Sequence, residues 1–243
     1  MSTCKACHTI PPVIVDNYSP SGNWTRLGGL DVYVTGSTSA RNAIICFYDA
    51  FGASQQILQG ADLVAITLNA IILVPDFFRG NPAQYEWFTN QSQECKQAKE
   101  TWLKNMKFKE HLPDLYKVLD AAKDVYPEAL NWGAYGLCWG GKMAVLASGE
   151  GTPFKVSGQV HPGKLAAEDA RSLKIPHIML ASRDEDATVV EEYAKLLASE
   201  GKIGEVETYA SMHHGWMGAR ANLKEDNELK EYNQLAEFFA KHL

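Results

Sequence analysis

The sequence predicts an α/β fold with a mostly parallel central sheet and helices on both of its faces. Short apolar runs rich in β-branched residues alternate with longer amphipathic runs along the chain, a pattern typical of βαβ units. The runs at residues 43–48 and 70–74 are apolar throughout, as expected for strands buried on both faces. No linker or repeat divides the chain, so we expect one domain over residues 1–243, with residues 1–25 as an extended N-terminal segment.

The individual elements follow from these runs. Residues 30–34 alternate in polarity and are expected to form an antiparallel hairpin at the sheet edge. Buried strands are expected at residues 43–48 and 70–74, and further strands at residues 130–137, 156–160, 177–181 and 205–209. The helices are expected at residues 55–68, 112–125, 189–199 and 225–241, with a further one beginning at residue 142.

Composition limits the possible partners and compartment. The formal net charge is −6, without a basic stripe, which argues against nucleic acid or an anionic membrane surface as a partner. No apolar run is long enough to span a bilayer, and the first residues lack the apolar core of a signal peptide. Five scattered cysteines, an odd number, favour a reducing compartment. We therefore expect a cytoplasmic protein.

The cysteine pair near the N-terminus is the first candidate site. Cys4-x-x-Cys7-His8 resembles half of a zinc site, but a structural zinc needs a second ligand pair and none follows. A redox pair belongs at a strand-to-helix turn, whereas this one leads into Pro11-Pro12. The sequence predicts no metal site and no cofactor, and it leaves Cys4 and Cys7 without a role.

The segment Gly136-Leu137-Cys138-Trp139-Gly140-Gly141 is the strongest functional signal. It lies between a predicted strand and a predicted helix. This is the setting of a nucleophile elbow, in which a sharp turn exposes the central side chain while glycines keep the crowded backbone clear. A cysteine stands where such elbows usually have serine. Cys138 is therefore the candidate nucleophile; the alternative is a buried structural cysteine.

An acid and a base follow the elbow in the order that a catalytic triad requires. Asp184 and Asp186 come just after the strand at 177–181, and His213 and His214 follow the strand at 205–209. Parallel strands bring such loops to one edge of the sheet. His161 follows the strand at 156–160 and is expected at the same edge, as a residue that lines the pocket.

At these positions the chain resembles the dienelactone hydrolase family of α/β-hydrolases. The resemblance covers the elbow and four further segments, and it looks more like fungal and other eukaryotic members than bacterial ones. The further segments are Asp49-Ala50-Phe51-Gly52, Pro75-Asp76-Phe77-Phe78-Arg79, Asp186-Ala187-Thr188-Val189 and His214-Gly215-Trp216 with Arg220 downstream.

The resemblance implies a Cys-His-Asp triad. Cys138 would attack the carbonyl carbon and form a thioester, His214 rather than His213 would shuttle the proton, and Asp186 rather than Asp184 would orient the imidazole. The backbone N–H groups of Ala50 and Trp139 would form the oxyanion hole.

The resemblance also implies substrate contacts. Asp49 stands in the place of a family glutamate that contacts the resting thiol. Arg79 and Arg220 match two arginines that bind a substrate carboxylate, for which the guanidinium fork is suited.

The expected function is hydrolysis of small, dienelactone-like esters or lactones, some of them anionic. A thioesterase or general carboxylesterase on the same fold is the alternative enzyme, and a non-catalytic binding protein is the alternative outside enzymes. We expect a monomer or a homodimer, with a small molecule as the only partner.

Overall fold

The fold is built around one eight-stranded sheet, seen in a computed structural model that describes residues 5–14, 18–223 and 226–243. The strand order is β1-β2-β4-β3-β5-β6-β7-β8. The strands are β1 Asn23–Leu27, β2 Leu30–Thr35, β3 Asn42–Phe47, β4 Ile71–Pro75, β5 Asn131–Leu137, β6 Val156–Val160, β7 His177–Ser182 and β8 Gly204–Tyr209. This arrangement confirms the predicted α/β class.

The helices pack around this sheet. They are α1 Lys5–Thr9, α2 Gln55–Leu68, α3 Glu86–Thr89, α4 Gln93–Asn105, α5 Phe108–Val125, α6 Trp139–Leu146, α7 Asp169–Ser172, α8 Ala187–Ser199 and α9 Asp226–His242. Among the described residues, no helix is both long enough and apolar enough to cross a membrane.

Strand direction determines where a site can form. Strand β2 runs antiparallel to both β1 and β4, while β4, β3, β5, β6, β7 and β8 are parallel neighbours. The loops that follow β3, β5, β7 and β8 therefore meet at one edge. Because β4, β6 and β7 are buried along their whole length, they give these loops a rigid support.

Local signals explain most element boundaries. Helix α2 begins after Ser54, whose hydroxyl accepts a hydrogen bond from the amide of Ile57, and it ends at Asn69 in the left-handed conformation. Helix α4 was not predicted because it is polar on most of its surface, with Trp102 as its one buried residue. The N-terminal segment is not separate from the fold: it contains α1, and its last residues belong to β1.

Candidate active site

Cys138 lies at a strained turn between β5 and α6. Its backbone has φ 52° and ψ −110°, a conformation that residues with a side chain rarely adopt. The turn is possible because its neighbours are glycines: a Cβ on Gly136 would approach the carbonyl oxygen of Gly140 to 1.9 Å, and a Cβ on Gly140 would approach that of Phe47 to 2.1 Å. The residues of the elbow are thus fixed by backbone crowding.

Three backbone hydrogen bonds hold this strained turn. The amide of Cys138 donates to the carbonyl of Val160 at 3.1 Å. The carbonyl of Cys138 accepts from Gly163 at 2.8 Å and from Gly141 at 3.0 Å. The Cys138 side chain faces a cavity whose wall includes Gly163, so the turn presents the thiol to a space that a ligand can enter.

His214, in the loop after β8, is paired with a carboxylate. Its Nδ1 donates to Oε1 of Glu185 at 2.6 Å, and the side chains of both residues are almost fully buried. The other oxygen of Glu185 accepts from the backbone amide of Ser182. This bond fixes the ring so that Nε2 is the nitrogen left for a reactive group.

Nε2 of His214 and Cys138 face each other. Nε2 is buried and makes no well-aligned hydrogen bond to a described residue. Burial alone would lower the pKa of His214, but the negative charges of a Cys138 thiolate and of Glu185 outweigh it and hold that pKa well above its usual value. The surroundings of the ring therefore favour its protonated form.

The prediction that Asp186 contacts the His214 ring is wrong. The carboxylate of Asp186 caps α8 by accepting from the amides of Thr188 and Val189. Asp184 does not contact the ring either: its carboxylate accepts from the backbone amide of His214 at 2.8 Å. The residue between them has the longer side chain, and this lets it reach the ring.

His213, the other histidine of this loop, lies apart from the thiol. Its Nδ1 donates to the carbonyl of His214 at 3.2 Å, and partial burial lowers its pKa. It is not among the residues that line the cavity with Cys138.

The backbone amides of Ala50 and Trp139 were the predicted donors of an oxyanion hole. Both residues line the cavity with Cys138, and neither amide donates to any described residue. Trp139 is the first residue of α6, so its N–H has no acceptor within the helix. Two residues whose amides have no acceptor among the described residues thus line the same cavity as Cys138.

Asp49 lines the cavity, but its carboxylate is occupied. One oxygen accepts from the amide of Phe51 and the other from that of Ala219, each at 2.8 Å. Complete burial raises its pKa, which these donors and the charge of Arg220 partly counteract. In this arrangement Asp49 joins the loop after β3 to the loop that bears His214.

The cavity itself is mostly apolar and has cations in its wall. It measures about 870 Å³ including its open mouth. Three of its cations lie over aromatic rings that also line it: Lys99 over Phe88, Lys164 over Phe108 and Arg220 over Phe51, at 4.7, 5.6 and 4.9 Å from the ring centroids. Asp49 is the one acidic residue in its described lining. The positive charges in the wall therefore outnumber the negative one, which favours an anion.

Of the two arginines predicted to bind the substrate, one lines the cavity and the other does not. Arg220 lines the cavity and is 3% exposed, and its Nη2 has no hydrogen-bond partner among the described residues. Arg79 does not reach the cavity: its guanidinium is exposed and bonds to Asp114 at 2.7 Å and to the carbonyl of Gly29. The prediction for Arg79 is wrong because Phe77 and Phe78 are the buried side chains of that turn.

His161 lies behind the site rather than in the cavity wall, which corrects the prediction that it lines the pocket. It is fully buried, and its ring centroid is 4.9 Å from that of His214 and 5.1 Å from that of Trp216. Neither ring nitrogen has a partner among the described residues, and burial lowers its pKa far below the usual value. His161 is thus a neutral ring that supports His214.

Three charged residues of the site were missed from the sequence: Glu185, Lys99 and Lys164. The run Asp184-Glu185-Asp186 contained the signal for the first, but only the two aspartates were considered. No motif in the sequence around Lys99 or Lys164 indicated that these lysines belong to a site. Within the described residues, no group of three or more histidine, cysteine or acidic side chains could hold a metal ion.

A mostly parallel sheet with this strand order, in which β5 ends at an elbow, is the architecture of α/β-hydrolases. Within that class, the chain belongs to the dienelactone hydrolase family, whose sequence profile matches residues 30–243. An uncharacterized AIM2 family protein of Schizosaccharomyces pombe is 34% identical over 93% of this chain and 92% of its own length. This fungal relative agrees with the expected likeness to eukaryotic members.

Solved structures support the same fold. A protein of Klebsiella pneumoniae, described as a candidate dienelactone hydrolase, superposes with a TM-score of 0.74 at 16% identity, covering 91% of this chain and 98% of its own. A Pyrococcus furiosus esterase superposes with a TM-score of 0.64 at 14% identity, covering 96% and 98%. At such low identities the likeness concerns the fold alone.

Proposed function

We propose that this protein hydrolyses small carboxylic esters or lactones through a Cys138–His214–Glu185 triad. The observation that carries the proposal is the buried pair of His214 and Glu185 beside the Cys138 sulfur. A histidine next to a cysteine ionises the thiol, and a carboxylate on the far ring nitrogen stabilises the imidazolium. Glu185 takes the role that the resemblance assigned to Asp186.

The reaction would proceed in two stages. The Cys138 thiolate attacks the carbonyl carbon, and the resulting oxyanion accepts hydrogen bonds from the amides of Ala50 and Trp139. As the C–O bond breaks, His214 gives its Nε2 proton to the leaving alkoxide, and a thioester remains on Cys138. His214 then takes a proton from water, which attacks the thioester and releases the acid and the thiolate.

The cavity supports an apolar substrate with an anionic group. Its apolar side chains would contact the body of the substrate, while Lys99, Lys164 and Arg220 offer positive charge to a carboxylate. Among the described residues none of the three forms an ion pair with a carboxylate. A dienelactone-like compound belongs to this substrate class.

The test combines labelling with kinetics. With iodoacetamide near neutral pH, Cys138 should react faster than the other cysteines, and 4-nitrophenyl acetate should slow that labelling. Cys138→Ala should abolish turnover of the ester, whereas Cys95→Ala, at a partly buried thiol outside the cavity, should retain it. Full activity of Cys138→Ala would contradict the mechanism.

A substrate panel distinguishes the alternatives. Lactones and aryl esters should be turned over with higher kcat/KM than acyl-thioesters, whereas the reverse order would indicate a thioesterase. Stoichiometric ligand binding without turnover of any substrate would indicate a binding protein. We also propose that residues 1–243 act as one domain in the cytoplasm, as a monomer or homodimer, which fractionation and light scattering would test.

A further inference from the structure

We propose that residues 6–13, here called the N-terminal wall, form part of the catalytic cavity and determine which substrates it accepts. This inference rests on the proposed function and deepens it. The wall precedes the region that the family profile matches, residues 30–243. It would therefore add specificity to a catalytic site built by the rest of the chain.

Two side chains of the wall reach the cavity directly. Cys7 and His8 line the same space as Cys138, Trp139 and His214. Nδ1 of His8 donates to the carbonyl of Phe88 at 2.6 Å, which holds the wall against α3. Ala6 is 2% exposed, so the short helix α1 is packed against the protein rather than free in solvent.

The wall is also bonded to the loop that bears His214. The carbonyl of Ile10 accepts from Nε of Arg220 at 2.6 Å, and the amide of Val13 donates to the carbonyl of Ala219 at 2.8 Å. The carbonyl of Val13 in turn accepts from Nε2 of Gln56 at 2.5 Å. These bonds attach the segment to the loop that bears His214 and to helix α2.

This attachment gives the wall two effects on a substrate. Cys7 limits the apolar space, because it shares the cavity with Phe88, Leu103 and Met106. The carbonyl of Ile10 accepts a hydrogen bond from Nε of Arg220, while Nη2 of Arg220 is buried and has no partner in the part of the chain that the structure describes. An unpartnered guanidinium nitrogen is costly unless an acceptor arrives, and a substrate carboxylate would be that acceptor.

The first experiment changes the volume of the wall. In the full chain, Cys7→Phe should lower the ratio of kcat/KM for 4-nitrophenyl hexanoate to that for the acetate by about tenfold, because an added ring excludes the longer acyl group. Cys7→Ala should raise the ratio. Cys95→Phe is the control at a thiol outside the cavity. An unchanged ratio in both Cys7 variants would overturn the proposal.

The second experiment needs no catalysis, so it separates this inference from the proposed function. In full-length Cys138→Ala, 4-nitrophenyl hexanoate should slow the alkylation of Cys7 by N-ethylmaleimide and leave that of Cys95 unchanged. Trypsin cuts after Lys5 and so places Cys4 and Cys7 in different peptides for mass spectrometry. Equal alkylation of Cys7 with and without the ester would refute a cavity wall, whatever the activity of the native enzyme.

Discussion

Glu185 and Asp186 are adjacent in the chain, yet their carboxylates bond to different partners. Glu185 accepts a hydrogen bond from Nδ1 of His214, and Asp186 accepts two from the first turn of α8. The pair gives a direct test of which acid serves the histidine.

Replacing Glu185 by Gln should reduce kcat by roughly 10²–10⁴-fold, because an amide favours the wrong imidazole tautomer and does not stabilise the imidazolium. Asp186→Asn keeps a good helix cap and should leave kcat near the native value. Steady-state kinetics with an aryl ester measures both. A loss confined to Asp186→Asn would return the acid role to that residue.

The cavity cations should determine selectivity for charge. Arg220→Gln should raise KM for an ester with a distal carboxylate by an amount equivalent to about 1.5–3 kcal/mol, since a charge-assisted contact is lost. Lys99→Gln and Lys164→Gln should act in the same direction. A neutral ester of equal size should respond far less.

Arg79→Ala is the matched control for that series. Its partner Asp114 forms a surface ion pair with it, and such pairs contribute about 0–1 kcal/mol to folding. KM for the charged ester should stay unchanged and Tm should fall slightly. A rise in KM as large as that of Arg220→Gln would show that Arg79 does not keep its exposed conformation when the enzyme works.

The elbow should not tolerate a side chain at Gly140. Because the added Cβ would lie 2.1 Å from the carbonyl oxygen of Phe47, Gly140→Ala should lower the free energy of unfolding by roughly 3 kcal/mol. Gly149→Ala is the control, since its Cβ would meet its nearest neighbour at 3.7 Å. Denaturant unfolding compares the two, and similar midpoints would contradict the crowding.

His177 should make folding sensitive to acid. Burial lowers its pKa from 6.5 to about 3, so below pH 6.5 the unfolded chain binds a proton that the folded chain does not. Stability should therefore fall as the pH drops from 6.5 toward 3, by up to about 1.4 kcal/mol per pH unit from this group. His177→Asn removes the titrating ring. The unfolding free energy of this variant should therefore fall less steeply with decreasing pH than that of the native protein. Equal slopes would exclude this role.

The order of the elements and the elbow could be predicted because they depend on local pattern. Strand β6 was predicted with the bounds that the structure has. Cys138 followed from the glycines around it and from its place between a predicted strand and a predicted helix. The acid could not be predicted to the residue, since three carboxylates follow β7 in succession and side-chain length decides among them. Lys99 lies on α4, whose polar surface gives little periodic signal. Arg79 has φ 52°, and a turn of that kind redirects a side chain in a way that composition does not reveal.

The position of the N-terminal wall has a practical consequence for handling the protein. A purification tag fused ahead of Met1 would be connected within a few residues to Cys7, a side chain that lines the cavity. Kinetic constants from such a fusion should therefore be compared with those of the protein without a tag. The end of α9 is the better place for a tag, because none of the described side chains of that helix lines the cavity.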